Sequence, residues 1–314
     1  MELSVVICTF NRQRILKDTL ESFAAMDLPG DMPTELLIVD NNSTDATPSV
    51  ARTFLAQHPT LVRLIEERRP GLSHARNAGL GAARGAIIAF SDDDVYFDPH
   101  WAVRLVDVFR QDPSASCVGG KCIPVFEGGR PDWISDTMMT PYGSTNSGED
   151  IKVLQYPDHP FGLNMAFRRS VFDVVGTFNT ALGRQKHSLR SNEDSDLFQR
   201  AAEAGLKTVY TPHAIVRHRI PKERANRTWM LRRYYWQGIS DALQLQAANT
   251  SKEGRSLREA YGEMRALATC LIELARLRVR GRARDSNIVF LKRRECYYLA
   301  GKSYQTLRAA VLRG

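Results

Sequence analysis

The stretch AIIAFSDDDVYFDP, residues 86–99, decides the fold. Ala86 to Phe90 is a continuous apolar run of strand length, and it stops on Asp92, Asp93 and Asp94. A run with no polar alternation reads as a strand buried on both faces. Three adjacent carboxylates at the end of such a strand repel one another with little screening, so something must offset their charge. Two readings do this. In one, a hard divalent cation sits at the strand end, since Mg²⁺ takes one or two carboxylates together with substrate phosphates. Asp92 and Asp94 point the same way if the chain is still extended there. In the other, the acids form a turn that caps a helix starting near Asp98. A calcium EF-hand loop is excluded by spacing, because Phe97 stands where that loop requires glycine.

Upstream, strand and helix alternate. Leu3 to Thr9 is an apolar, β-branched strand, and Asn11 to Met26 carries Ile15, Leu16, Leu20 and Phe23 at helical spacing. Glu35 to Val39 is a strand ending on Asp40, Asp45 to Gln57 a helix, Leu61 to Ile65 a strand, and Gly71 to Ala83 a helix of small residues. This alternation predicts an α/β fold, a parallel sheet flanked by helices on both faces. In such sheets ligands bind beyond the carboxyl ends of the strands. Those ends are Thr9–Phe10–Asn11, Asp40–Asn41–Asn42 and Asp92–Asp93–Asp94, all mostly polar.

Downstream, Ala115 to Val125 reads as a strand. Glu127 to Asp158 is rich in Gly, Pro, Ser and Asp around isolated Trp133 and Tyr142, and reads as a long loop of functional or mobile character. Phe161 to Phe167 is a strand, Arg169 to Val175 a short helix, and Asn192 to Ala204 a helix closed by Gly205. Lys207 to Tyr210 and Ala214 to Arg219 are two short strands. From about Arg227 the chain reads as helical. Leu257, Tyr261, Met264, Leu267, Leu271 and Leu274 form an apolar stripe, and a last helix runs from Ile288 to Val311. The organisation expected is a domain over 1–225, with halves 1–112 and 113–225, and a helical appendage over 226–314.

The 314 residues carry a formal charge of +8. From Ser251 onward there are fifteen Lys and Arg against six Asp and Glu, so the appendage holds the whole excess. A basic appendage suggests an anionic partner: a membrane surface, nucleic acid, or an acidic polymer. The stripe packs onto the first domain or onto a second subunit, which makes a homodimer through the C-terminal helices one expectation. Arg232, Arg233, Tyr234, Tyr235 and Trp236 suit a membrane interface or a packing seam between the C-terminal helices and the first domain, the seam being favoured. Nucleic acid is disfavoured, since the tail has no reading motif and no interleaved aromatic platforms. With no charged-then-apolar leader at Met1 and no apolar run of spanning length, a cytoplasmic, non-spanning chain is expected. The five cysteines form no CxxC pair and are expected to be buried or incidental thiols.

Four stretches coincide in order: VVICTFNR (5–12), ELLIVDNNSTDAT (35–47), GLSHARNAGLGAARGAIIAFSDDDV (71–95) and SNEDSDLFQRAAEAG (191–205). Together these resemble the family-two glycosyltransferases, over about residues 3 to 220. The resemblance implies the GT-A fold, inverting transfer from a nucleotide-sugar donor with a UDP-sugar favoured, and Mg²⁺ or Mn²⁺ as cofactor. It implies that Thr9, Phe10, Asn11, Asp40, Arg76, Asp92 and Asp93 meet the donor. Asp40 can accept from a base N–H or a ribose hydroxyl. Asn42 to Asp45 are read instead as turn and cap residues for the next helix. For Arg76 a solvated helix position is the alternative.

The resemblance also makes Asp92 and Asp94 the DxD metal ligands, with His218 a further ligand or a structural strand-end histidine. Asp194 is the implied general base for the acceptor hydroxyl, and Glu193 holds the acceptor or assists. Their alternative is electrostatic: acids in a first helical turn complement its dipole, and Ser191 or Asn192 can cap it. Phe161, Gly162 and Asn164 are implied to line the sugar and acceptor pocket, with a core strand as the alternative for Phe161. The acceptor is a sugar, free or lipid-linked, in polysaccharide or glycoconjugate assembly. A lipid-linked acceptor suggests peripheral attachment to the cytoplasmic leaflet through Arg276, Arg278, Arg280, Arg282 and Arg284. Two competing functions are weaker. A sugar-phosphate nucleotidyltransferase wants a glycine-rich loop after the first strand, where this chain has CTFNR. A sugar-nucleotide-binding protein without turnover has no need of both the DDD and NED carboxylates.

Overall fold

The computed structural model describes residues 1–145, 147–185, 188–248, 257–279 and 286–311. The chain divides into two compact units. The first comprises Met1–Gly129, Asp136–Thr180 and Glu193–Ile220; the second comprises Arg130–Ser135, Ala181–Asn192 and Pro221–Gly314.

In the first unit the strands are β1 (Leu3–Thr9), β2 (Thr34–Asp40), β3 (Val62–Glu66), β4 (Ile87–Asp92), β5 (Val95–Phe97), β6 (Ala115–Phe126), β7 (Lys152–Leu154), β8 (Asn164–Arg168) and β9 (Lys207–Ile220). Its helices are α1 (Leu16–Ala24), α2 (Thr47–Gln57), α3 (Leu72–Ala82), α4 (Trp101–Gln111), α5 (Ser170–Val175) and α6 (Glu193–Glu203). The strands form one sheet in the order β3-β2-β1-β4-β8-β6-β9-β5, with β7 against β9. The first four are parallel, as expected. Beyond β4 the sheet is mixed, because β8 runs antiparallel to both β4 and β6.

Alternating side chains explain why the strands are apolar throughout. Val5, Ile7, Leu36 and Ile38 pack with Leu20, Phe54 and Leu105 from α1, α2 and α4. Val6, Leu37, Val39 and Ile88 pack with Ala75, Val171 and Leu197 from α3, α5 and α6. The small residues of α3 let it approach closely: a Cβ on Gly79 would stand 2.4 Å from Cγ1 of Val6.

Four local readings change. α1 begins at Leu16, because Asn11 takes a left-handed turn (φ 54°) and its Oδ1 accepts from the Thr44 amide at 2.8 Å. Residues 95–97 form β5, too short to show a period, which pairs with β9 and sets Val95 opposite His218. The two short strands expected over 207–219 are one strand, β9, whose register on β6 shifts between Gly120 and Lys121. Between residues 127 and 158 lie the 3₁₀ turns Asp136–Met138 and Thr140–Tyr142 and the strand β7. Tyr142 is buried there, its ring 5.0 Å from that of Phe126.

At the amino end of the sheet, away from the carboxyl termini of the strands, Glu35 is buried. Its carboxylate accepts from the Ser4 hydroxyl (2.6 Å), Arg63 (2.9 Å) and the Arg84 amide (2.7 Å). Burial alone would raise its pKa, but these donors outweigh burial and hold it below the ordinary glutamate value. A depressed pKa contributes stability above the ordinary value that is lost as pH falls through the folded one. Glu35→Gln is therefore expected to cost about 1–3 kcal/mol at neutral pH. Its melting temperature should also fall less steeply than that of the wild type between pH 5 and 3, as thermal melts at several pH values would show.

The second unit contains α7 (Arg227–Ala248), α8 (Leu257–Val279) and α9 (Ser286–Val311), and α7 and α9 pack through glycines. A Cβ on Gly238 would overlap the Tyr298 carbonyl, and one on Gly301 the Tyr235 carbonyl. Tyr234 of the aromatic and basic cluster lies under the Arg294 guanidinium of α9 at 4.7 Å, a contact inside the helical unit. Trp133 stacks edge-on against Phe290 at 5.2 Å. Asn192, expected as a helix cap, holds φ 76° and directs its amide to α7, donating to Asp241 (2.8 Å) and Gln244 (2.9 Å). The stripe on α8 divides between a buried and an exposed side. Cys270 and Leu274 are buried toward α9, whereas Tyr261, Met264 and Leu271 are 65%, 40% and 49% exposed. Among the described residues no helix is long and apolar enough to cross a membrane.

Candidate active site

The carboxyl ends of β1, β2 and β4 lie side by side, with Thr9 opposite Asp40 and Cys8 opposite Asp92. Thr9 and Asp40 are buried, and Phe10 is exposed. Asp40 Oδ1 is buried with no hydrogen-bond partner, and only its Oδ2 accepts, weakly, from the Ser43 amide at 3.4 Å. Asn11 is tied to the turn after β2 through Ser43 and Thr44. Asn41 pins the approach to α3, accepting from the Gly71 amide at 2.8 Å and donating to the Arg69 carbonyl at 2.7 Å. Asp45 accepts from the Thr47 amide at 2.9 Å, the expected turn.

The three aspartates diverge. β4 ends at Asp92 and the chain turns over Asp93 and Asp94, so the extended geometry that would align the outer pair is lost. Asp92, about a third exposed, lies 3.4 Å from Arg76 Nη2. Asp93 is buried beside Arg12 Nε (3.5 Å). Burial pushes its carboxyl up, to about 6, with Arg12 opposing and Asp94 adding to the rise. Asp94, also buried, faces Arg12 Nη2 (3.7 Å) and His218 Nε2 (3.4 Å).

His218 is held from behind. Its Nδ1 lies 2.6 Å from the Tyr142 carbonyl oxygen. A carbonyl only accepts, so Nδ1 carries a hydrogen. In neutral histidine Nε2 then presents a lone pair to Asp94. Two acceptors facing each other at this distance need a cation or a proton between them. A backbone carbonyl behind the ring is the usual support of a metal-binding histidine. Among the described residues no three of His, Cys, Asp and Glu stand close enough to hold a metal by themselves. Asp94 and His218 supply two donors, which suits a cation whose remaining positions go to phosphate and water.

Arg76 is not solvated. It is 2% exposed, and its Nη1 lies 2.7 Å from Glu193 Oε1 at the start of α6. Its guanidinium is 5.5 Å from the Phe178 ring, and a Cβ on Gly162 would stand 2.3 Å from Nη2. Arg76 thus ties α3, α6, the end of β4 and the backbone at Gly162 together. Burial pushes the Glu193 carboxyl up, to about 7, with Asp194 adding and Arg76 opposing. Asp194 is half-buried. Its Oδ2 accepts from the Gly162 amide (2.8 Å), and its Oδ1 from its neighbour Ser195 (2.8 Å).

Of the residues expected around an acceptor, Gly162 is at this point and Phe161 is partly buried against the core. Asn164 is fully buried, with its amide spent: Oδ1 accepts from Trp101 Nε1 (2.8 Å), and Nδ2 donates to Lys121 (3.1 Å) and Ala214 (2.9 Å) carbonyls. It has no free surface to offer a ligand.

Sequence reasoning missed Arg12 and the Tyr142 carbonyl. Arg12 had a signal, since a basic residue just past a neighbouring strand end is a natural counter-charge for three carboxylates. The carbonyl had none, because residue 142 reaches residue 218 only through the tertiary fold.

The chain matches the family model described as glycosyl transferase family 2 over residues 4–176. It is 28% identical over 244 residues to a glucosyl-dolichyl phosphate glucuronosyltransferase of Haloferax volcanii, covering 76% of each chain. It is 24% identical over 265 residues to the succinoglycan biosynthesis protein ExoM of Rhizobium meliloti, covering 83% of this chain and 79% of that one. Among solved structures it resembles the mannosyltransferase PcManGT of Pyrobaculum calidifontis, determined with GDP-Man and Mn²⁺. That likeness has a TM-score of 0.66 at 22% identity, over 99% of this chain and 87% of that one, and speaks to the GT-A type fold. With more than half its length matched by the family model, the chain belongs to glycosyl transferase family 2 and is a glycosyltransferase.

Proposed function

We propose that this enzyme moves a sugar from a nucleoside-diphosphate sugar to an acceptor hydroxyl with inversion, using Mg²⁺ or Mn²⁺. The observation that carries the reading is the Asp94–His218 pair at 3.4 Å, with the imidazole fixed by the Tyr142 carbonyl. A cation bound there would act as a Lewis acid for the leaving diphosphate. Asp92 is the further carboxylate near that diphosphate, and Asp93 balances Arg12. Asp40, with a buried and unpartnered Oδ1, accepts from the base or ribose, and Thr9, Phe10 and Asn11 form the rim around it.

Asp194 takes the acceptor proton as the hydroxyl oxygen attacks C1 from the face opposite the diphosphate. It is half-buried and meets the Gly162 backbone, whereas Glu193 is committed to Arg76. Arg76 and Glu193 together hold α6 in place. Phe161 and Gly162 border the acceptor, and Asn164 braces the strand beneath them. Direct displacement needs no nucleophilic side chain. The name of the Haloferax relative supports a lipid-linked sugar acceptor, and that of ExoM supports polysaccharide assembly.

A thermal-shift panel of UDP-, GDP- and dTDP-sugars, each with and without Mn²⁺, tests this. Ligand at about 100 times its Kd stabilises the folded chain by roughly 2.7 kcal/mol. One donor should raise the melting temperature by several degrees, and only with the metal. A donor that stabilises equally in EDTA would remove the metal from the reading.

A further inference from the structure

We propose that the outward face of α8 is a bilayer-binding surface that lies on anionic phospholipid. The proposal stands apart from the transfer chemistry. Tyr261, Met264, Leu271 and Ile272 are 65%, 40%, 49% and 52% exposed. Their spacing sets them, with exposed Ala268 and Ala275, on one arc of the helix. Arg265 follows Tyr261 by four residues and Arg276 follows Ile272 by four, so each exposed guanidinium flanks an apolar group on that arc. The carboxylates turn the other way: Glu263 pairs with Lys302 and Glu273 with Lys292, both on α9, and Glu259 shares their side.

A helix facing water keeps its charged side outward and its apolar side inward. Here the outward arc is apolar and cationic, with the acids drawn to the α9 side. That is the composition of a helix lying in the headgroup region, where apolar groups enter the acyl boundary and guanidiniums meet phosphates. α9 carries an arc of the same kind, with Tyr297, Tyr304 and Leu307 exposed beside Arg308. Tyrosines of this sort sit at headgroup level. Of the five arginines first expected to carry such binding, Arg276 is described; Arg280, Arg282, Arg284 and the side chain of Arg278 lie outside the described residues.

Flotation of the full chain decides it, using phosphatidylcholine vesicles with and without about one-third phosphatidylglycerol, at low and high salt. The wild type should float with the anionic vesicles at low salt and less at high salt. The variant Leu271→Asp/Ile272→Asp should lose at least about tenfold in partitioning for each residue. The variant Arg265→Gln/Arg276→Gln should lose about fivefold per residue on anionic vesicles and be unchanged on neutral ones. Circular dichroism checks that each variant keeps its helices, and Tyr261→Ser/Met264→Ser on the same arc replaces one that does not. No flotation of the wild type at low salt, or apolar-arc variants that float like the wild type, overturns the proposal. So does a wild-type dimer that sediments as a monomer after the Leu271→Asp/Ile272→Asp change and never floats, which makes the arc a subunit interface.

Discussion

Asp94→Ala is expected to abolish the metal-dependent gain in donor affinity that the proposed function requires. The side chain is buried, and it is the partner of both His218 Nε2 (3.4 Å) and Arg12 Nη2 (3.7 Å). Without it His218 offers one neutral donor, too little to place a hard cation against a diphosphate. The expected loss is on the order of 10²-fold or more in donor affinity with Mn²⁺ present, since even supporting residues around a metal are worth 10–100-fold. Isothermal titration of donor with and without Mn²⁺ measures it. His218→Gln should show a smaller loss in the same direction. If Asp94→Ala transfers sugar at the wild-type rate in EDTA, the site does not work through a metal. Arg12 would then be the counter-charge that matters.

Asp194→Asn is expected to leave donor affinity close to that of the wild type and to lower turnover by about 10²-fold or more, the usual scale for losing a general base. The structure adds a complication. Both carboxylate oxygens accept backbone N–H groups, from Gly162 and from Ser195. An asparagine must turn its NH₂ toward one of them, so the backbone at Gly162 can shift. Because that backbone rests on Arg76, a shift would also disturb the pair with Glu193. Separate kcat and donor KM values distinguish the outcomes. A fall in kcat alone identifies a proton acceptor. Equal losses in both mean that Asp194 mainly holds the loop.

The larger features of this chain were legible in its residues because they repeat. Strands β1, β2 and β4 are largely apolar on both faces, and the helices between the strands follow helical spacing, so the parallel part of the sheet could be read in advance. Asp40, Asp92 to Asp94 and Glu193–Asp194 stood out as carboxylates at the ends of such elements.

What remained was decided by contacts between residues far apart in the chain. Arg76 could be read as a donor-binding residue or as a solvated one, and its burial comes from the small residues of α3, which let that helix settle close to the sheet. There the guanidinium meets Glu193, more than a hundred residues on, and is sealed by the backbone of Gly162. Asn164 looked like a pocket residue, but its amide is satisfied by groups that the strand pattern cannot reveal. His218 reaches Asp94 because a three-residue strand, too short to carry a period, pairs with β9. On α8 the sequence by itself determined that an amphipathic stripe exists. Only the packing on α9 decided which side of it is left to the solvent, because that depends on where the partner helix lies.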